Sequence, residues 1–155
     1  MQSYNGPNAR HPKRGVVAVI PRGERLLVIR RSQSVVAPGA NCFPGGGIRD
    51  GETEAAALVR EMGEELNVEA IPRLCLWRSV TPWSVELAWW LTELPEEAVL
   101  HPNEEEVEEI LWLKPNEIRT LVDLLESNHH FLDAWQRDEF SLSLGEEGNN
   151  LEPSN

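Results

Sequence analysis

A glycine-rich turn that runs straight into a helix with two disagreeing faces constrains this chain more than anything else in it. From Gly46 to Val68 the sequence reads Gly-Gly-Ile-Arg-Asp-Gly-Glu-Thr-Glu-Ala-Ala-Ala-Leu-Val-Arg-Glu-Met-Gly-Glu-Glu-Leu-Asn-Val. At about 100° per residue, Ala55, Val59, Met62 and Leu66 form one apolar stripe. Glu54, Glu61, Glu64 and Glu65 fall about 140° away, in a sector that also holds Ala57, which is too small to cover them. Carboxylates one turn apart repel by about 0.2–0.5 kcal/mol per pair in an isolated helix, and a cation bound among them would reverse that sign. A solvated acidic face is the ordinary fate of such a helix. It does not account for the glycines, for Arg60, or for the helix ends, where Thr53 is the expected N-cap and Glu54 sits where the helix dipole favours a negative charge.

The spacing is long and sparse: Gly46, five residues, Glu52, seven residues, Arg60-Glu61-Met62, one residue, Glu64-Glu65, one residue, Asn67-Val68. It resembles the Nudix box, G-x5-E-x7-R-E-U-x-E-E-x-G-U with U apolar, at every fixed position except the last glycine, which is Asn67 here. Asparagine is the residue besides glycine that takes the left-handed conformation past a helix C-terminus, so Asn67 is expected to close the helix at modest cost. That position carries no metal-ligand role in the family. The resemblance implies an α/β fold, the Nudix-type α/β/α sandwich with a mixed β-sheet, over roughly residues 14–139. It also implies a reaction: metal-dependent hydrolysis of a nucleoside diphosphate linked to another moiety, by water attacking a pyrophosphate phosphorus. Residue by residue, it implies Glu61, Glu64 and Glu65 as metal ligands in the catalytic set. Arg60 would orient them through its guanidinium fork. Glu52 would brace the loop against the helix, and Gly45, Gly46 and Gly47 would shape the phosphate side of the site.

The residues on their own imply oxygen-ligand coordination of a hard divalent cation, with Mg²⁺ leading and Mn²⁺ fitting the same ligands. A net charge of −12 argues against a nucleic-acid partner and leaves a phosphate-handling protein in need of a cation or a local basic patch. Arg30 and Arg31, at a strand exit, and Arg49, inside the box, are candidate phosphate contacts. The acidic loop from Pro95 to Glu109 contains Glu104-Glu105-Glu106, and long loops of this kind are often functional. It is expected to close on the site and supply an assisting carboxylate, with Glu105 the candidate. Some family members take the general base from the box helix and others from a later loop, so Glu64 remains the other candidate.

Trp83 lies in a turn and is a candidate base-stacking surface, whereas Trp77, Trp89, Trp90, Trp112 and Trp135 read as core or sheet-face residues. His129 and His130 have no metal-ligand company and read as helix-surface residues. Cys42 and Cys75 are isolated, which fits free thiols in a reducing cytoplasm. No apolar run reaches membrane-spanning length and no hydrophobic signal region opens the chain. The expected partner is therefore a small-molecule nucleotide, with no membrane and no nucleic acid, and a homodimer stays open. Pro82 lies near the place, about fifteen residues past the box, where the family's ADP-ribose group has a proline, which gives a slight lean toward that substrate class. A reading from a different class is a nucleotide-binding or regulatory domain of the same fold that does not cleave. Such members usually lose box carboxylates, and all are present here.

Residues 1–13 read as a disordered tail and 140–155 as an acidic one, leaving a single domain at 14–139. Within it, Val16–Ile20 and Arg25–Arg31 are expected to form a hairpin about Arg22-Gly23-Glu24. Cys42-Phe43 reads as a short strand into a glycine loop, and Leu74–Val80 with Val85–Leu91 as a second hairpin. Ile110–Leu113 reads as a strand, followed by a helix from Pro115 to about Leu125 and another, capped by Asn128, to about Phe140.

Overall fold

The β-branched run near the N-terminus is buried on both faces, and that fixes the layering. In the computed structural model, which describes residues 13–145, strand β1 (Arg14–Val19) sends Val16 and Ala18 to one side and Val17 and Val19 to the other. Strand β3 (Arg25–Arg31) divides Leu27 and Ile29 from Leu26 and Val28 in the same way. This is the period-2 alternation of a strand between two apolar layers. One layer is closed by helix α1 (Glu54–Leu66), through Ala57, Leu58, Met62 and Leu66. The other is closed by α2 (Pro115–Arg119) and α3 (Glu126–Gln136), through Ile118, Phe131 and Leu132. The result is the expected α/β/α sandwich. Residues 1–12 and 146–155, which hold nearly all of the first expected tail and the end of the second, lie outside the described residues.

Two four-stranded sheets make the middle layer. In the first, β5 (Gly45–Gly47), β1, β7 (Glu86–Glu93) and β6 (Ile71–Val80) lie side by side, with β1 parallel to β7 and the other pairs antiparallel. In the second, β3 is flanked by β2 (Pro21–Arg22), β4 (Asn41–Cys42) and β8 (Val107–Leu113), all antiparallel.

Several expectations need correcting. The first hairpin is confined to β2 and the start of β3, about a turn where Gly23 takes φ 60°, while β1 leaves it for the other sheet. The glycine run is not a loop: Gly45–Gly47 is strand β5, paired with Gly15–Val17. The first helix after Pro115 stops at Arg119, because the Thr120 N–H and hydroxyl both turn back onto Glu117 and the chain then bridges Leu124 to Asn41 in the sheet. Asn128 does not cap α3. It lies inside the first turn, 3% exposed, where its Oδ1 accepts the Phe43 N–H at 2.8 Å. Leu142 and Leu144, in the expected tail, pack against the aromatic layer.

Candidate active site

Helix α1 is held at both ends by its own sequence. The Thr53 hydroxyl accepts the Ala56 N–H at 3.0 Å, and Asn67 takes φ 55°, ψ 45° and returns its N–H to Gly63. Its inward face differs from the stripe that periodicity suggests. Ala57, Leu58, Met62, Glu65 and Leu66 are buried, whereas Val59 is 39% exposed. The buried face is thus rotated toward the carboxylates, and Glu65 sits near its centre at 5% exposure. Ala57, expected among the exposed acids, is fully covered.

The glycines make this burial sterically feasible. A Cβ at Gly45 would overlap the Val16 carbonyl, and one at Gly46 would overlap the Glu61 carboxylate, so β5 lies against both β1 and α1. The Gly45 N–H then donates to Glu65 Oε1 at 3.2 Å, and the Gly47 carbonyl accepts Arg60 Nη2 at 2.8 Å. Arg60 is the hub. Its Nε and Nη2 fork onto the Glu52 carboxylate at 2.7 and 2.9 Å, and its Nη1 reaches Glu61 at 2.9 Å and Glu64 at 3.4 Å. Glu52 also accepts the Arg49 N–H at 2.8 Å, so it does brace the turn against the helix. The Arg60 fork, with the Arg49 N–H, holds the Glu52 carboxyl at about 2. Arg60 makes no bond to Glu65, contrary to the wider orienting role expected of it.

One carboxylate oxygen each from Glu61, Glu65 and Glu106 lie within 4.8 Å of one another. Burial pushes the Glu65 carboxyl up to about 8, with the neighbouring Glu61 and Glu106 adding to it and the Gly45 N–H and Arg31 opposing. Burial also raises Glu61, against the pull of Arg60. The cluster therefore carries the electrostatic cost of crowded, desolvated acids. Burial likewise lifts the Cys42 thiol, beside Arg31 and Glu65, to about 11.

The other expected residues are placed as follows. Glu64 stands outside the trio, its side chain 39% exposed, facing Arg60 and, at 3.5 Å, Arg49. Glu105 is exposed, bonded through its N–H to Asn103 Oδ1 and through its carbonyl to the Ser32 hydroxyl, and the next residue, Glu106, is the one brought to the cluster. Arg30 pairs with Glu109 at 2.8 Å, and Arg31 donates to the Val36 carbonyl at 2.6 Å. Trp83 is 78% exposed in the β6–β7 turn, which also contains Pro82. His129 and His130 lie on α3, half-buried and exposed respectively, and Cys42 and Cys75 are free.

What the sequence did not single out is a second ionic centre at the start of α1. Arg78 forks onto Glu54 at 2.7 and 3.1 Å, Arg14 reaches it at 3.4 Å, and the Trp90 indole N–H donates to it at 2.9 Å. The Arg78 bond, chiefly, lowers the Glu54 carboxyl below its ordinary range. Strands β1, β6 and β7 lie tens of residues from Glu54 in sequence, and no local pattern signals the contact.

A model of the NUDIX domain matches residues 9–135 of this chain. A Mycobacterium tuberculosis protein provisionally named 8-oxo-dGTP diphosphatase 2 is 44% identical over 54 residues, a match covering 35% of this chain and 38% of that relative's length. Among solved structures, the ORF135 protein of E. coli superposes with a TM-score of 0.67 at 24% identity, covering 86% of this chain and 96% of that one. The MutT protein of Methanosarcina mazei Go1 superposes with 0.69 at 19% identity, covering 82% and 94%. These last two likenesses establish the shared fold.

Proposed function

The chain belongs to the NUDIX family, and from that premise we propose that it is a metal-dependent hydrolase of phosphoric anhydrides acting on a nucleoside diphosphate linked to a further moiety. The carrying observation is the meeting of Glu61, Glu65 and Glu106 oxygens within 4.8 Å. Their donor set fits the cation that the family implies. It is all carboxylate oxygen, with no imidazole or thiolate donor, which suits Mg²⁺ first and Mn²⁺ second. Two of the three acids are strained upward in pKa without a cation.

In this reading Glu61, Glu65 and Glu106 would hold the ion, and Arg60, anchored on Glu52, fixes Glu61 in place. A bound cation supplies phosphoryl polarisation and a lowered pKa for the attacking water. Glu64, beside Arg60 and Arg49 and outside the trio, is assigned the proton that the attacking water sheds. The water oxygen bonds to phosphorus, the bridging P–O bond breaks, and the leaving phosphate takes the electron pair. Besides Arg60, Arg49 stands 3.5 Å from Glu64 and Arg31 is the cation that opposes the rise of Glu65, and both are assigned to substrate phosphates. Glu105 is left without a catalytic role in favour of Glu106.

Two observations bear on the substrate class: the name of the M. tuberculosis relative points to an oxidised purine triphosphate, and Pro82 leans toward ADP-ribose. The −12 charge disfavours a nucleic-acid substrate. Two free thiols suit a cytoplasmic location, and among the described residues no helix is long and apolar enough to cross a membrane.

The test is hydrolysis of 8-oxo-dGTP, ADP-ribose, dinucleoside polyphosphates and nucleotide sugars by purified protein with Mg²⁺ or Mn²⁺, with sedimentation to read the oligomeric state. Turnover should appear with metal and fall at least a hundredfold in Glu65→Gln and Glu106→Gln. Nucleotide binding with no cleavage of any compound would instead identify a non-catalytic sensor of the same fold.

A further inference from the structure

The last four carbonyls of a helix have no partner within it, and in α1 their partners come from an informative place. Gly63 O is met by the N–H of Asn67 itself, at 3.1 Å. The other three are met by the loop before β8: Glu64 O by Asn103 Nδ2 at 3.2 Å, Glu65 O by Asn103 N at 2.9 Å, and Leu66 O by His101 N at 3.0 Å. Asn67 completes the tie from the helix side, its Nδ2 donating to His101 O at 2.6 Å. From Asn103 the chain runs directly to the cluster, since Asn103 O accepts both Glu106 N at 2.8 Å and Val107 N at 2.7 Å. Ser32 clamps the far side, its N–H on Glu106 O at 3.0 Å and its hydroxyl on Glu105 O at 2.7 Å. Glu106 is therefore delivered by a segment docked on the same helix that carries Glu61 and Glu65.

We propose that Asn67, which stands where the Nudix box has glycine, is a positioning residue: its side-chain amide pins residues 101–106 to the end of α1 and so sets Glu106 against Glu61 and Glu65 before an ion arrives. The inference rests on the metal reading of that trio. A glycine would satisfy the left-handed backbone equally well, so the backbone cap does not require this side chain. What asparagine adds is one donor, aimed at the loop. The acidic loop is in consequence already seated on α1, and not waiting to close.

The experiment compares wild type, Asn67→Gly, Asn67→Asp and Glu106→Gln by thermal unfolding of metal-free protein, amide exchange at His101 and Asn103, and calorimetric titration with Mn²⁺. Asn67→Gly should keep or raise the unfolding midpoint. It should nevertheless speed exchange at both amides and raise the Mn²⁺ Kd, each by about two- to tenfold, the range for one lost hydrogen bond acting through the fraction of seated loop. Asn67→Asp, which keeps size but sets an acceptor against the His101 carbonyl, should weaken Mn²⁺ at least as much. Glu106→Gln should weaken it more than either. Wild-type Mn²⁺ affinity in both Asn67 variants, whether or not exchange quickens, overturns the inference and leaves a merely structural tie. Wild-type affinity in Glu106→Gln would instead remove Glu106 from the metal site, and the inference would fall with that reading.

Discussion

On one side of the sheets Trp89 stacks on Phe131 with centroids 4.7 Å apart, and Phe43, Trp77 and Phe140 fill the space around them. On the other side the buried fillers are aliphatic, Leu27, Ile29, Leu58, Met62 and Leu66 with the small Ala18 and Ala57, and the same helix carries the carboxylates of Glu61, against the Cβ-less Gly46, and Glu65. Both layers draw on alternate residues of the same strands. The aromatic layer spends its volume on apolar contact, which responds to neither pH nor cations. The α1 layer gives up volume to seat charges, so its stability ought to depend on what neutralises them. The contrast can be broken by finding either layer behaving like the other.

The largest effect should come from pH. Glu65 has a folded-state pKa of about 8 against 4.5 for an ordinary glutamate, so the folded state binds its proton more tightly than the unfolded chain does. Its contribution is complete below about pH 4.5 and is lost as pH rises toward 8. The loss in metal-free protein is at most about 5 kcal/mol at 1.36 kcal/mol per unit. Urea titrations from pH 5 to 8 should show a fall in stability that Glu65→Gln flattens. A slope that survives in Glu65→Gln would assign the titration to Glu61, whose carboxyl burial also raises.

Next is Phe131→Ala, which empties the aromatic stack at a residue with no exposed surface. It should cost about 3–5 kcal/mol, measured as the midpoint shift in guanidinium chloride, and leave the pH slope unchanged. A changed slope would mean that the two layers are coupled through the strands.

Smaller again is the response to metal. Mg²⁺ or Mn²⁺ at about 100 times its Kd should add about 2.7 kcal/mol by binding the native state alone, on the order of 5–10 °C in Tm for a chain of this size. The shift should vanish in Glu61→Gln and persist in Phe131→Leu. Persistence in Glu61→Gln would place the ion elsewhere, at Glu54 or in the loop.

The split between layers was only partly legible in the sequence. The box spacing located α1, its Thr53 and Asn67 ends, Arg60 and two of the three clustered acids, because local chemistry fixes each of those. Three features depend on the sheet and could not be read locally. Gly45–Gly47 is a strand because β1 lies beside it, and its glycines serve close packing against Val16 and Glu61. Asn128 turns from capping to hold Phe43, 85 positions away. In the run Glu104-Glu105-Glu106 nothing local separates three identical side chains. What selects Glu106 is the turn set by Asn103, docked on the carbonyls of α1.

The helix face was misjudged for a related reason, and that yields the smallest effect. A hydrophobic stripe through Ala55, Val59, Met62 and Leu66 assumes that buried positions are apolar positions. In α1 the assumption fails, because two buried carboxylates displace the packed face toward Leu58 and Ala57 and leave Val59 39% exposed. A valine on a packed face loses roughly 1.5 kcal/mol or more when made polar, whereas substitutions at exposed sites stay within about 0.5 kcal/mol. Val59→Ser should therefore change stability by less than about 0.5 kcal/mol in chemical denaturation and leave the metal response intact. A loss of 2 kcal/mol or more would return the helix to the face that simple periodicity suggests, with Glu61 and Glu65 toward solvent, and would remove the basis for their raised pKa.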